Sequence, residues 1–284
     1  MSIRTDLAIE CIDFAGETLP QGIITNEKNE NGMTITAVEI KEEEAANRIG
    51  KPVGHYVTIE TDGFEAAAPN FEAQVETVAE QLRPFLPEAG NSYLVVGLGN
   101  SQITPDALGP LAVRYMLTTR HISGELAKQI GLPELAPVSA LAPGVLGQTG
   151  MESAEIITAL CEQTKPDLVV AVDALAAGRL TRLGTTIQVS DTGISPGSGV
   201  LNKRKELSKA TLGVPVLSIG VPTVVDLNTI CQGAQEKGQA EKSMMVTPRE
   251  IDTLIEHAAK TIAYALNRTF QPGLSLEEIA ALTA

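Results

Sequence analysis

Two aspartates stand where an α/β protein can do chemistry. Asp106 lies in NSQITPDALGPLAVRYM, where Thr104 is placed to cap a helix, Pro105 takes the first helical position and Asp106 the second. Directly before it, YLVVGLGN runs apolar from Tyr93 and ends at Gly97, Gly99 and Asn100, the pattern of a strand buried on both faces. Asp173 is the first polar residue after the apolar run in LVVAVDALAAG. Both aspartates therefore belong at carboxyl ends of strands, the edge along which ligands gather in open parallel sheets. Two carboxyl groups held a few ångströms apart do not both ionise readily, so one keeps a proton while the other activates water. That division of labour suits hydrolysis of an amide. The helix start favours the ionised form of Asp106 and nominates it as the base. Either aspartate alone also has a plain structural reading, as a helix-start or turn-capping residue.

Other polar clusters offer less. Asp191 heads an Asp191-Thr192-Gly193 triplet, which pepsin-like and retroviral aspartic proteases use in pairs on all-β folds. A single copy in a chain of this pattern is read as a turn or as support for the site. In the following SPGSGVLNKRKELS, Gly197, Ser198 and Gly199 form either a backbone cradle for an anion or a flexible loop facing substrate. The segment lacks phosphate-loop spacing, and GLGN lacks the third glycine of a dinucleotide fingerprint. Asn100 joins Asp191 and the glycine loop as a supporting or substrate-binding residue. His55, His121 and His257 show no metal-ligand spacing, no GxSxG elbow occurs, and Cys11, Cys161 and Cys231 are scattered and odd in number. Neither a metal set, a covalent nucleophile nor a disulfide framework is therefore read.

The elements that must position these residues alternate in type. TITAVEIK and HYVTIET repeat with period two, predicting a small N-terminal β region at 33–61. Phe71, Val75, Val78 and Leu82 predict an amphipathic helix closed by Pro84 and Pro87. LVVAVDA and PVLSIGVPT repeat the buried-strand design, and Met151 to Gln163 reads as a helix between strands. Thr247, Pro248 and Glu250 form a capping box ahead of a long apolar-striped helix. The polar segment 232–243 reads as a mobile loop. The expected fold is one α/β domain over 1–284, a mostly parallel sheet flanked by helices on both faces, with the small N-terminal β region added.

Composition narrows the partners. The 284 residues carry a formal net charge of −14 and only 3% aromatic side chains, with no Trp, so phosphate backbones are repelled and base stacking lacks its platforms. Direct nucleic-acid binding is not expected. No signal peptide or membrane-length apolar run is present, and the reading is a cytoplasmic protein away from the membrane.

The blocks IRTDLAIE, VGLGNSQITPDALGP, APGVLGQTGMES, KPDLVVAVDALAA, TTIQVSDTGISPGSGVLNKRKELS and LGVPVLSIGVPTVVD resemble, in order, the germination proteases of endospore-forming bacteria. MVTPREID extends the likeness to the long C-terminal helix. The resemblance implies an endopeptidase that degrades small acid-soluble spore proteins, acting as a homotetramer in the spore core, with its catalytic aspartates falling on Asp106 and Asp173. It also implies a zymogen whose propeptide is removed, although only Met1 and Ser2 precede Ile3 here. A more distant similarity is to hydrogenase-maturation endopeptidases, whose acidic residues at these positions bind metal with a histidine. That histidine position falls near Gly197, so the resemblance implies no cofactor. The alternatives are a divalent metal at Asp106 and Asp173 in a maturation-type peptidase, and a non-catalytic peptide- or anion-binding protein.

Overall fold

The structure, a computed structural model, describes residues 5–16, 19–64, 70–129, 131–197, 205–227 and 244–283. Its strands are β1 (Ile23–Glu30), β2 (Met33–Ile40), β3 (Gly54–Glu60), β4 (Tyr93–Gly97), β5 (Val138–Leu141), β6 (Leu168–Ala177), β7 (Thr186–Ser190), β8 (Val216–Asp226) and β9 (Met245–Val246). The helices are α1 (Ala8–Phe14), α2 (Glu43–Ile49), α3 (Phe71–Leu82), α4 (Leu108–Arg114), α5 (Gly124–Gln129), α6 (Leu146–Thr149), α7 (Ser153–Thr164), α8 (Lys209–Leu212), α9 (Ile251–Phe270) and α10 (Leu276–Thr283). Among the described residues the nine strands join one mixed sheet in the order β1-β2-β3-β7-β8-β6-β4-β5, with β9 paired to β8.

The sheet has two halves of different construction. In β8, β6, β4 and β5 every neighbour pair is parallel. Of these, β4, β6 and β8 carry the continuous runs: all of β4 is buried, and β6 and β8 are each buried but for one position, as double-sided cover requires. From β8 outward through β7, β3, β2 and β1 every pair is antiparallel, so parallel pairing is confined to these four strands instead of dominating the sheet. The N-terminal β region likewise departs from expectation: it begins at Ile23, and β3 pairs with β7, which makes it a continuation of the main sheet. The unanticipated strand β1 exposes most of its length, as an edge strand of polar residues does.

Helices cover both faces. On one, α3, α4, α9 and α10 bury Val75, Val78, Leu82, Leu108, Ile255, Ile262 and Leu266 against Val95, Val170, Val172, Ile187 and Ile219. On the other, α7 and α8 cover Leu94, Val96, Val169 and Ala171, while α1 and α2 cover Val38, Ile40 and Tyr56. Helix α3 has the bounds its apolar spacing predicts and passes into a 3₁₀ turn at Arg83–Phe85 around Pro84. The long helix α9 starts later than its capping signature, at Ile251. Glu250 is its N-cap without a side-chain bond, and the Thr247 hydroxyl donates instead to the Thr223 carbonyl of β8 at 2.8 Å. Tertiary demand from β8 thus outcompetes the local cap. The segment 232–243 lies outside the described residues.

Candidate active site

Asp173 sits inside β6, opposite Gly220 of β8 and one residue past Val172, the last β6 residue paired with β4. It is 5% exposed. Its Oδ1 accepts the Ala174 N–H at 3.0 Å. Asp106 ends a 3₁₀ turn, Thr104–Asp106, in the connection from β4 to α4. Its Oδ2 accepts the Asn100 N–H at 2.8 Å, which folds the β4–α4 connection back on itself.

Close backbone approach makes this possible. A Cβ on Gly109 of α4 would stand 2.3 Å from the Leu98 carbonyl and 2.5 Å from that of Val172, so only glycine lets the helix descend between β4 and β6. Gly99 has φ +110, and a Cβ there would reach 2.0 Å from the Asp106 carbonyl. From the other side the Thr223 hydroxyl of β8 donates to the Pro105 carbonyl at 2.7 Å. The turn that carries Asp106 is thereby pinned to the strand neighbouring Asp173.

The electrostatics follow from burial and proximity. Desolvation holds the Asp173 carboxyl well above the usual carboxylate range; the Asp106 charge raises it further and the Asp6 charge adds to this, while the Ala174 N–H pulls the other way. Asp106 is also raised by burial, opposed by the Asn100 N–H. The helix start expected to favour ionised Asp106 has a limited hold, because α4 begins two residues later at Leu108 and desolvation prevails. Both carboxyls are thus raised, and Asp173, the more deeply buried, is raised well above the ordinary value.

The remaining sequence candidates divide. Asn100 joins the site through its main chain, and its Oδ1 accepts from Gln148 Nε2 at 2.7 Å and from the Gln102 N–H at 2.9 Å. Asp191 does not join. β7 runs antiparallel to β8 and pairs Ser190 with Ser218, so the following residue lies toward the amino ends of β6 and β8, away from Asp173. There Asp191 accepts the His55 N–H and meets His55 Nδ1, both at 2.8 Å. Gly197 lies in a turn, at φ +71, after the bridge between Ile194 and Leu207. Ser198 and Gly199 lie outside the described residues. Among the described residues no group of three or more His, Cys, Asp or Glu is placed to hold a metal ion. A cavity of about 680 Å³ lies elsewhere, lined by Phe71, Glu76, Arg268 and Leu276, and its Arg268 is already paired with Glu76 at 3.2 Å.

Sequence reasoning missed Gln148, Thr223 and Asp6 as neighbours of this site. Each reaches it across a long stretch of chain by one hydrogen bond or a charge, and such contacts leave no local pattern.

A family model described as germination protease matches residues 15–236. The chain belongs to the germination protease family. This member is 41% identical to the germination protease of Caldanaerobacter subterraneus subsp. tengcongensis, over 98% of the chain and 97% of that relative. It is 48% identical to that of Bacillus cytotoxicus over 81% of the chain, a match spanning 65% of the Bacillus protein. As a germination protease family member it is a peptidase, a hydrolase acting in germination. Among solved structures, a NiFe-hydrogenase maturation protease from Thermococcus kodakarensis aligns with 67% of the chain and 98% of its own, at 19% identity and a TM-score of 0.36.

Proposed function

We propose that the chain is an endopeptidase in which Asp106 and Asp173 act as a pair on small acid-soluble spore proteins. The observation that carries this reading is the burial of Asp173 within β6, just past its last residue paired with β4, with the Asp106 charge acting on it. Ionised Asp106 takes a proton from water as the water oxygen bonds to the scissile carbonyl carbon, and protonated Asp173 gives its proton to the carbonyl oxygen. Collapse of the tetrahedral adduct breaks the C–N bond. The proton taken by Asp106 goes to the leaving nitrogen, and the adduct hydroxyl returns a proton to Asp173, which restores the starting state. The family resemblance supports the substrate class, a homotetrameric state and action in the spore core.

Purified protein incubated with a small acid-soluble spore protein tests the reading. Asp106→Asn and Asp173→Asn should each stop cleavage while circular dichroism stays unchanged, and full activity in either variant rejects the pair. Dialysis against chelator in the same assay separates mechanisms: unchanged cleavage supports the carboxyl pair, whereas loss restored by a divalent metal assigns both aspartates to a metal site. Binding without cleavage at every pH would leave only a peptide-binding role.

A further inference from the structure

Strand β6 outruns its neighbour. Its pairing with β4 ends at Gly97 and Val172, with Leu98 N–H donating to the Val172 carbonyl at 2.8 Å, yet β6 continues to Ala177. Alternate residues of an interior strand turn their N–H and C=O groups to opposite neighbours, so Ala174 and Ala176 face the side that β4 no longer covers. Uncovered amides beside a buried carboxyl would leave that stretch of strand loosely held.

Three carboxylates close this edge. The N–H of Ala174 donates to Asp173 Oδ1 at 3.0 Å, that of Ala176 to Asp6 Oδ2 at 2.8 Å, and that of Gly178 to Glu10 Oε2 at 2.6 Å. The Asp6 N–H donates in turn to the Ala176 carbonyl at 2.8 Å, so Asp6 pairs with Ala176 in both directions. Its placement is held from several sides. Gln188 Nε2 and Lys51 Nζ donate to the Asp6 carbonyl at 2.9 and 2.8 Å, and Leu7, fully buried, packs on Leu175, Ala177 and Val225. The clasp falls where the β6–β8 register shifts, between Leu175 and Ala176, so it meets the strand at its least regular point. Amides two residues apart on a strand are about 6.6 Å apart, which puts the carboxyl groups of Asp6 and Asp173 on adjacent rungs.

We propose that Asp6 is a positioning residue for the aspartate pair: its carboxylate closes the uncovered edge of β6 and so fixes the strand end that carries Asp173. The inference rests on the catalytic reading of Asp173 given above. Asp6 acts through Ala176 and has no contact with substrate in this role.

Cleavage of a small acid-soluble spore protein by Asp6→Ala, Asp6→Asn and Asp173→Asn, each checked for fold by circular dichroism, tests it. Asp6→Ala removes the acceptor, and kcat should fall about tenfold or more with KM within about twofold, the sign of lost alignment in the bound state. Asp6→Asn keeps an acceptor oxygen and should recover most of that loss. Wild-type kcat in Asp6→Ala, or equal loss in the Ala and Asn variants, overturns the proposal. The control separates the two claims: an inactive Asp173→Asn beside a fully active Asp6→Ala rejects the role of Asp6 alone, whereas a fully active Asp173→Asn rejects the aspartate pair itself. If Asp6→Ala does not fold, hydrogen exchange on the wild-type protein decides. Protection of the Ala176 amide comparable to Val170 is expected, and exchange at the rate of an open loop overturns the proposal.

Discussion

A carboxyl group buried as Asp173 is resists ionisation, because taking a charge out of water costs on the order of several kcal/mol unless partners replace the lost hydration. Its folded pKa is raised, so its contribution to stability is fully present below the ordinary carboxylate range and is lost as pH rises through the folded value. Asp173→Asn removes that titration. The variant should be inactive yet more stable at neutral pH, by about 1 kcal/mol or some 2 °C in Tm, and a melting temperature below wild type would contradict the assignment. The same shifts fix the sign of the activity profile. Cleavage should rise with pH as Asp106 loses its proton and fall as Asp173 loses its own, both limbs lying above the usual carboxylate range because burial raises both groups. A rate that climbs monotonically to alkaline pH would sink this pairing of roles.

At the scale of elements, the site depends on how closely α4 descends onto β4 and β6. Gly109→Ala forces its methyl group against two backbone carbonyls, which cannot move aside as a side-chain tip can. The expected cost is about 2–4 kcal/mol in urea unfolding together with reduced cleavage, since the turn bearing Asp106 shifts with the helix. Helix α9 supports the opposite end of the same layer with buried amides. Asn267 accepts the Leu117 N–H and donates to the Tyr115 carbonyl, both at 2.9 Å, and Gln271 just beyond the helix brackets Ala136 through its N–H and carbonyl at 2.9 and 2.8 Å. Asn267→Leu strands both main-chain groups in the interior and should destabilise by about 2–4 kcal/mol, with kcat of the remaining folded protein unchanged. A neutral effect on the denaturation midpoint would show that the loop after α4 finds other partners.

The whole molecule presents 35 acidic against 21 basic side chains, a surplus that sets which partners approach it. Fluorescence anisotropy should detect no binding to double-stranded DNA even at low salt, where attraction to phosphates would be strongest; binding that weakens with added salt would reveal a basic face masked by the average. In the described residues no helix is long and apolar enough to cross a membrane. The proposed homotetramer should sediment at four times the 29.9 kDa of one chain, and a monomer at micromolar concentration would remove that part of the functional reading.

Sequence alone determined the features that repeat locally. The continuous apolar runs of β4, β6 and β8 require cover on both faces and so announce an α/β sheet, and the spacing of Phe71, Val75, Val78 and Leu82 announces α3. It also placed Asp106 directly after β4, whereas Asp173, read as the end of its strand, lies inside β6, which runs on to Ala177 past the point where β4 stops pairing with it. Tertiary structure decided the rest. The antiparallel half of the sheet arises from β3 meeting β7, a pairing that strand periodicity does not encode, since either direction of a neighbour satisfies alternating side chains. The same pairing, with β7 antiparallel to β8, carries Asp191 toward the amino ends of the parallel strands and gives it to His55. Thr247 leaves its helix for Thr223, and Asp6 reaches Ala176 from 170 residues away, because a hydrogen bond needs only geometry at the point of contact. Periodicity is a short-range property that a chain carries in its order of residues, whereas convergence of distant carboxyl groups depends on which strand lies beside which, and packing settles that only once the whole sheet has assembled.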